Sequence, residues 1–241
     1  MFPHSIRLQA VLSIALTFVT LNAQSRRATH RAMAAIVVDD RLSVLRSRPQ
    51  LDGPFIRRLP RGKLVVIKRM TRFPNGEAWL FVSVSRRTQG WILSEAVVSP
   101  SRLNDDERLL VLIRTSSEFE RVVRARIFLD HFKVSRHRSE VLLLLGESAE
   151  EIAAKLSHEA SKKLGGVEGA TYYLNYSGLD RYSRKGIGFF YDPSTNSFRY
   201  DGASWRELIR RHPNSKEAEE ARRHLGQNVN YRRQQQMSQE R

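Results

Sequence analysis

The sequence predicts a multidomain chain of the β-plus-α class, with a small β-barrel followed by a mainly helical domain that carries a β-hairpin insertion. Three observations predict this. Residues 35–99 are short β-branched and aromatic runs separated by Gly, Pro and Asn turns, the texture of a small barrel or sandwich. After Pro100, apolar residues recur at three- and four-residue spacing behind helix-start signals. Between two such stretches, residues 169–202 hold six of the seven tyrosines and three phenylalanines.

The chain opens on "MFPHSIR", with Arg7, followed by the mostly apolar "LQAVLSIALTFVTL" and the small-residue stretch "NAQS". This order predicts a secretory signal peptide over residues 1–23. Residues 8–21 would rise only ~21 Å as a helix, short of the ~30 Å hydrocarbon core. Export to the periplasm or medium is therefore expected, with membrane anchoring only where the segment is left uncleaved. No cysteine occurs anywhere, which excludes a lipid-modified cysteine and leaves an exported chain to be held by its cores alone. Residues 24–34, "QSRRATHRAMA", lack any period and are expected to form a flexible basic leader.

Within 35–99 the strand-like runs are "AAIVVDD", "LSVLRSRP", "PFIRRL", "KLVVIKRM", "AWLFVSV" and "GWIL". Pro74-Asn75-Gly76 suits a hairpin turn, because Asn and Gly tolerate positive φ. In "AWLFVSV" strict alternation puts Leu80, Val82 and Val84 on one face and Trp79, Phe81 and Ser83 on the other.

Residues 101–226 should be helical. Four stretches match the capping box, in which a short oxygen-bearing side chain and a Glu three residues on satisfy two orphan N–H groups reciprocally: Asn104 with Glu107, Ser117 with Glu120, Ser148 with Glu151, and Ser204 with Glu207. Apolar stripes follow, such as Phe119, Val122, Val123 and Ile127, or Ile152, Ala153, Leu156, Ala160 and Leu164. A weak internal repeat pairs 128–146 with 208–226, matching Phe128 to Leu208, Ser135 to Ser215 and Gly146 to Gly226; in each copy Gly is expected just past a helix end. "FFYDPSTNSFRY" should form the inserted hairpin. The Gln- and Arg-rich tail, 227–241, has the composition of a disordered segment.

Charge is distributed unevenly. The net charge is +16, and residues 35–99 alone carry 12 basic against 5 acidic side chains. Such an excess on so small a module exceeds what solubility requires and points to an anionic partner.

Residues 36–98 resemble the bacterial SH3-like (SH3b) domain, a small barrel of exported envelope proteins. The matching pieces are "LSVLRSRPQLDGPFIRRLPRGKLVVI", "AWLFVSV" and "QGWILSEAVV", although at Leu45 the family more often has Asn or Val before the arginine. The resemblance implies that Gly90 makes a tight turn and that Trp91 packs the barrel end. "LIRRHPNSKEAEEARRHLG" is similar to half of a tetratricopeptide hairpin, with a poorer copy at 128–146, and helical hairpins of that kind generally bind proteins.

No catalytic apparatus is legible. Without Cys there is no thiol nucleophile. His131, His137, His158, His212 and His224 are scattered, with no H-E-x-x-H spacing. Glu150 and Glu151 are expected at a helix start, where carboxylates suit the macrodipole. The candidate ligand-binding residues are Trp79, Arg57, Arg58, Arg61, Lys63, Arg86 and Arg87 in the barrel, and Tyr176, Arg181 and Tyr182 in the Tyr-rich segment. Exposed rings beside arginines make stacking surfaces, but for the tyrosines the favoured role is packing of the hairpin against the helices. No catalytic residue, cofactor or metal is expected.

The sequence thus leads to a non-enzymatic exported binding or scaffold protein of the bacterial envelope. Its basic barrel would contact an anionic or peptide-bearing wall component, for which the resemblance suggests peptidoglycan, and its helices a protein partner. The alternatives are a nucleic-acid-binding protein using the same barrel and a regulatory subunit of a wall hydrolase.

Overall fold

The computed structural model describes residues 33–163, 179–192, 195 and 197–226. The signal peptide, most of the basic leader, Tyr172, Tyr173 and Tyr176 of the Tyr-rich segment, and the tail lie outside the described residues. What is described is mixed β plus α: a seven-stranded antiparallel sheet followed by helices and a two-stranded hairpin.

The sheet strands are β1 (Met33–Val37), β2 (Val44–Arg46), β3 (Phe55–Arg58), β4 (Leu64–Arg72), β5 (Ala78–Ser83), β6 (Gln89–Leu93) and β7 (Val97–Val98). Strand β1 begins inside the stretch expected to be leader. The order is β3-β2-β6-β5-β4-β1-β7, so β3 and β7 are the two edges and, among the described residues, hydrogen bonding does not close the sheet into a barrel. The β4–β5 hairpin turns at Pro74-Asn75-Gly76 as its chemistry dictates: Gly76 has φ 87°, and Asn75 Oδ1 accepts the Glu77 amide at 3.0 Å.

Period-2 alternation divides β1 between two cores. Ala35 and Val37 join Leu45, Leu80, Val82, Ile92 and Val97 inside the curl of the sheet. Ile36, together with Val38 and Val98, packs instead among the helices. The register Ile36↔Val98 and Val37↔Val97 keeps both strands in step across this shared wall.

The helices are α1 (Asp105–Arg114), α2 (Glu118–His131), α3 (Arg138–Lys163), α4 (Asp180–Ser183), α5 (Ala203–Arg211) and α6 (216–226), with the hairpin β8 (Phe189–Asp192) and β9 (Ser197–Tyr200) before α5. Helices α1 and α2 start behind Asn104 and Ser117 as expected, but their capping bonds and the other two starts need correction. No side-chain capping bond forms at Asn104 or Ser117. Ser148 lies in mid-helix, its Oγ donating to the Leu144 carbonyl at 2.7 Å. The reason is that Val141, Leu142 and Leu145 are already buried against the helical core, so the helix starts at Arg138 and runs through the Ser148 signal. At α5 the cap is supplied from upstream: Asp201 Oδ1 accepts the Ala203 amide at 2.8 Å and the Tyr200 hydroxyl accepts the Ser204 amide at 2.7 Å.

The internal repeat has a structural counterpart in its turns. Helix α2 closes with the Phe132 amide on the Phe128 carbonyl at 2.8 Å, and α5 closes with the His212 amide on the Leu208 carbonyl at 2.8 Å. Ser135 and Ser215 then donate their amides to Phe132 and His212 at 3.3 and 3.1 Å. Gly146, however, is inside α3, and Gly226 is still helical as the last described residue of α6.

Sheet and helices belong to one compact unit, and a buried arginine joins them. Arg124 on α2 donates Nε to the Val38 carbonyl at 3.2 Å and Nη1 to Glu120 at 3.1 Å and to Ser116 Oγ. Among the described residues no helix is long and apolar enough to cross a membrane.

Candidate functional site: the basic face of the sheet

Of the twelve basic side chains in residues 35–99, Arg61 is the one that forms an ion pair among the described residues, reaching Asp40 at 2.7 Å and Glu120 at 3.3 Å. Burial tends to raise the Asp40 pKa, but the charge and hydrogen bond of Arg61 outweigh it and hold the carboxyl below its usual range. Of the five acidic side chains in the same segment, Asp39 and Asp40 face arginines, Asp39 meeting Arg124 at 3.8 Å, while Glu77 accepts the neutral Trp79 indole N–H at 3.4 Å. Eleven cations outside ion pairs thus stand against three such carboxylates, Asp52, Glu77 and Glu95, which leaves a net positive excess, most of it exposed.

The structure separates the expected ligand contacts. Arg57 and Arg58 lie on the fully exposed edge strand β3. Arg58 is held back by hydrogen bonds to the carbonyls of Asp40 at 2.7 Å and Arg41 at 3.0 Å. Lys63 lies just before β4, and Arg86 and Arg87 lie in the turn between β5 and β6; all three are exposed. Arg61, with only 11% of its side chain exposed, is committed to its carboxylates. Trp79 is 1% exposed, so it offers no open ring face for stacking. Tyr176 lies outside the described residues. Arg181 is exposed, and Tyr182 is buried.

Trp91 is also buried, but on the face opposite the one its expected core role implies. It is absent from the core that holds Leu80, Val82 and Ile92 and instead pairs across strands with Phe81, ring centroids 5.3 Å apart at 61°. The Arg69 guanidinium lies 4.9 Å from both ring centroids, a cation–π contact that shields the indole. Directly opposed residues share a face, so the register places Phe55, Arg46, Trp91, Phe81 and Arg69 in one row across β3, β2, β6, β5 and β4. Phe55, at the open edge, is 65% exposed. Arg46, Phe55 and Phe81 were not foreseeable as a group, because strand order rather than sequence spacing unites them.

Gly90 is required for a different reason than a turn. Its neighbours leave no room: a Cβ there would stand 2.7 Å from the Arg46 carbonyl oxygen and 2.8 Å from Leu45 Cγ. Glycine thus lets β2 and β6 approach, which brings Arg46 beside Trp91.

In the helical part, Arg181 lies over the rings of Phe119 and Tyr182, 5.0 and 4.7 Å from their centroids, and donates to the Tyr182 hydroxyl at 2.8 Å. Tyr182 meets Phe119 and Phe189 edge-on at 5.3 and 5.7 Å. These rings are occupied in packing the hairpin and α4 against α2. Among the described residues no group of three or more His, Asp or Glu side chains is placed to hold a metal ion.

Comparison with family models, with curated proteins and with solved structures finds no match to this chain.

Proposed function

We propose that this chain is an exported, non-enzymatic binding and scaffolding protein of a bacterial envelope. Its sheet is an SH3-like module that holds an anionic wall component, and its α2–α3 and α5–α6 hairpins form a tetratricopeptide-like surface for a protein partner. The observation that carries this reading is the uncompensated charge of the sheet, where Arg61 is the one paired cation among twelve. Charge left unpaired over a small rigid surface raises the local concentration of an extended anion and speeds its capture. The apolar run near the N-terminus supports export, and the resemblance at "QGWILSEAVV" supports a wall component.

Phe55, 65% exposed on the open edge strand beside Arg57, also favours a second reading, in which a single-stranded nucleic acid lies along the sheet edge, because arginines beside exposed rings suit bases.

One experiment separates the two. The full chain is incubated with purified wall sacculi and, in parallel, with a single-stranded oligonucleotide across a salt series. Retention on sacculi that falls in a variant carrying Arg57→Gln, Arg86→Gln and Arg87→Gln supports the wall reading. Tighter binding to the oligonucleotide, with affinity declining steeply as salt rises, supports the alternative. No retention on either would overturn the anionic-partner reading.

A further inference from the structure

We infer that the cleft enclosed by α2, the turn before β4 and the turn after α4 binds a compact phosphoryl group carried on a larger ligand. The cavity measures about 360 Å³ and is lined by Gly62, Arg126, Asp130, His131, Arg184 and Lys185, among others. It lies away from the sheet row and rests on different residues, so it stands or falls independently of the sheet reading.

Three cations, Arg126, Arg184 and Lys185, line the cleft against one carboxylate, Asp130. Among the described residues none of Arg126, Arg184 and Lys185 forms an ion pair, and Asp130 pairs with none of them. The arginines are anchored through neutral backbone instead. Arg126 Nη2 donates to the Gly186 carbonyl at 2.6 Å, and Arg184 Nε donates to the Asp180 carbonyl at 3.2 Å. These bonds fix the guanidinium planes while leaving their charge uncancelled. Arg126 Nε is buried and has no acceptor, an unmet donor of the kind that an incoming oxygen satisfies after a small rotation of the side chain.

The backbone is shaped to the same end. Gly186, at φ 69°, lets its turn lie against Arg126, where a Cβ would stand 3.0 Å from Nη2. Gly62, at φ 83°, leaves open space where a side chain would project at the rim. Burial holds the His131 imidazole below its usual range, against the pull of Asp130, so the positive charge of the cleft at neutral pH comes from the arginines and the lysine. A phosphoryl group matches this arrangement better than a carboxylate: it carries nearly two negative charges and three acceptor oxygens, one for each of three separate cationic side chains.

The test is calorimetric titration of the full chain at constant ionic strength with inorganic phosphate, glycerol phosphate and acetate, and flotation with phosphatidylcholine vesicles containing phosphatidic acid, whose headgroup is a phosphomonoester. Saturable binding of phosphate but not acetate is expected, weakened about tenfold by Lys185→Gln or Arg184→Gln. Neither side chain supports the Arg126–Gly186 contact, so the ligand-free melting midpoint should not move. Glycerol phosphate binding more tightly than inorganic phosphate marks a soluble ester as the source; vesicle binding lost in the same variants marks a lipid-borne one. Acetate binding as well as phosphate, no heat beyond a chloride control, or undiminished binding in both variants would overturn the assignment.

Discussion

The indole Nε1 of Trp205 occupies the place where a side chain on residue 146 would begin: a Cβ built on Gly146 would stand 2.0 Å from it. Trp205 is fully buried, stacks on His224 with centroids 4.5 Å apart, and meets Tyr200 edge-on at 5.3 Å. Helix α5 therefore docks on α3 through a notch one residue wide, and the glycine that makes the notch is kept in a helix interior despite its poor propensity.

Substituting Gly146→Ala tests this by its sign. In an open helix Ala would stabilise by about 1 kcal/mol relative to Gly. Here the methyl group collides with a ring that cannot retreat, and overpacking of a full core costs about 1–3 kcal/mol or more. Denaturant unfolding should show net destabilisation; a gain in stability would mean that Trp205 does not occupy the notch.

Trp91 yields a second test. It is 8% exposed, with Phe81 and Arg69 against its ring. Trp91→Ala should cost about 3–5 kcal/mol, and Arg69→Ala only about 0.5–1 kcal/mol, the usual worth of an exposed cation–π contact. Thermal melts of the two variants should keep that order. An unchanged midpoint for Trp91→Ala would refute its packing role.

What the sequence disclosed follows from how local each signal is. Alternation in "AWLFVSV" correctly divided Leu80 and Val82 from Phe81, because strand periodicity depends only on neighbours. The Pro74-Asn75-Gly76 turn was legible for the same reason. The start of α3 was not, since Ser148 and Glu151 fit a capping box yet lie in a helix already nucleated by the buried face of Val141, Leu142 and Leu145. Tertiary burial overrode a local cue. The face on which Trp91 lies, the Arg69 shield, and the Arg126 cleft all depend on strand order or on turns far apart in the chain, which no spacing encodes.

The cluster around His224 predicts a dependence on pH. The ring nitrogens of His224 lie 3.0 Å from Glu150 and 3.6 Å from Glu220. Nearby Glu147 is pushed above its ordinary value of 4.5, mainly by burial, with Glu151 and Glu220 adding repulsion and with His224 and Arg121 opposing. A carboxyl raised in the folded state holds a proton there that the unfolded chain has already released, so its effect is to lower stability as pH rises through the raised value. Glu147→Gln removes that effect. The variant should melt higher than the parent at neutral pH and no higher below 4.5, where Glu147 is protonated in both states. Equal gains at both pH values would show that charge is not the cause.

Arg124 is the last and largest case. Its side chain is 8% exposed, and it spans the sheet and the helices through the Val38 carbonyl, Glu120, Asp39 and Ser116. Burial lowers its pKa, as does the charge of Arg61, while Glu120 and Asp39 pull it back. Taking away one member of such a buried set strands the others: Arg124→Leu leaves the Val38 carbonyl without this donor and Glu120 without its nearer cation. Loss of about 3–5 kcal/mol is expected. Since β1 contributes Ile36 to the helical core and Val37 to the sheet core, sheet and helices should unfold together in the parent. Tryptophan fluorescence and far-ultraviolet dichroism would then give one midpoint, lowered for both probes in the variant. A change in only one of the two probes would show that the buried arginine does not couple the two cores.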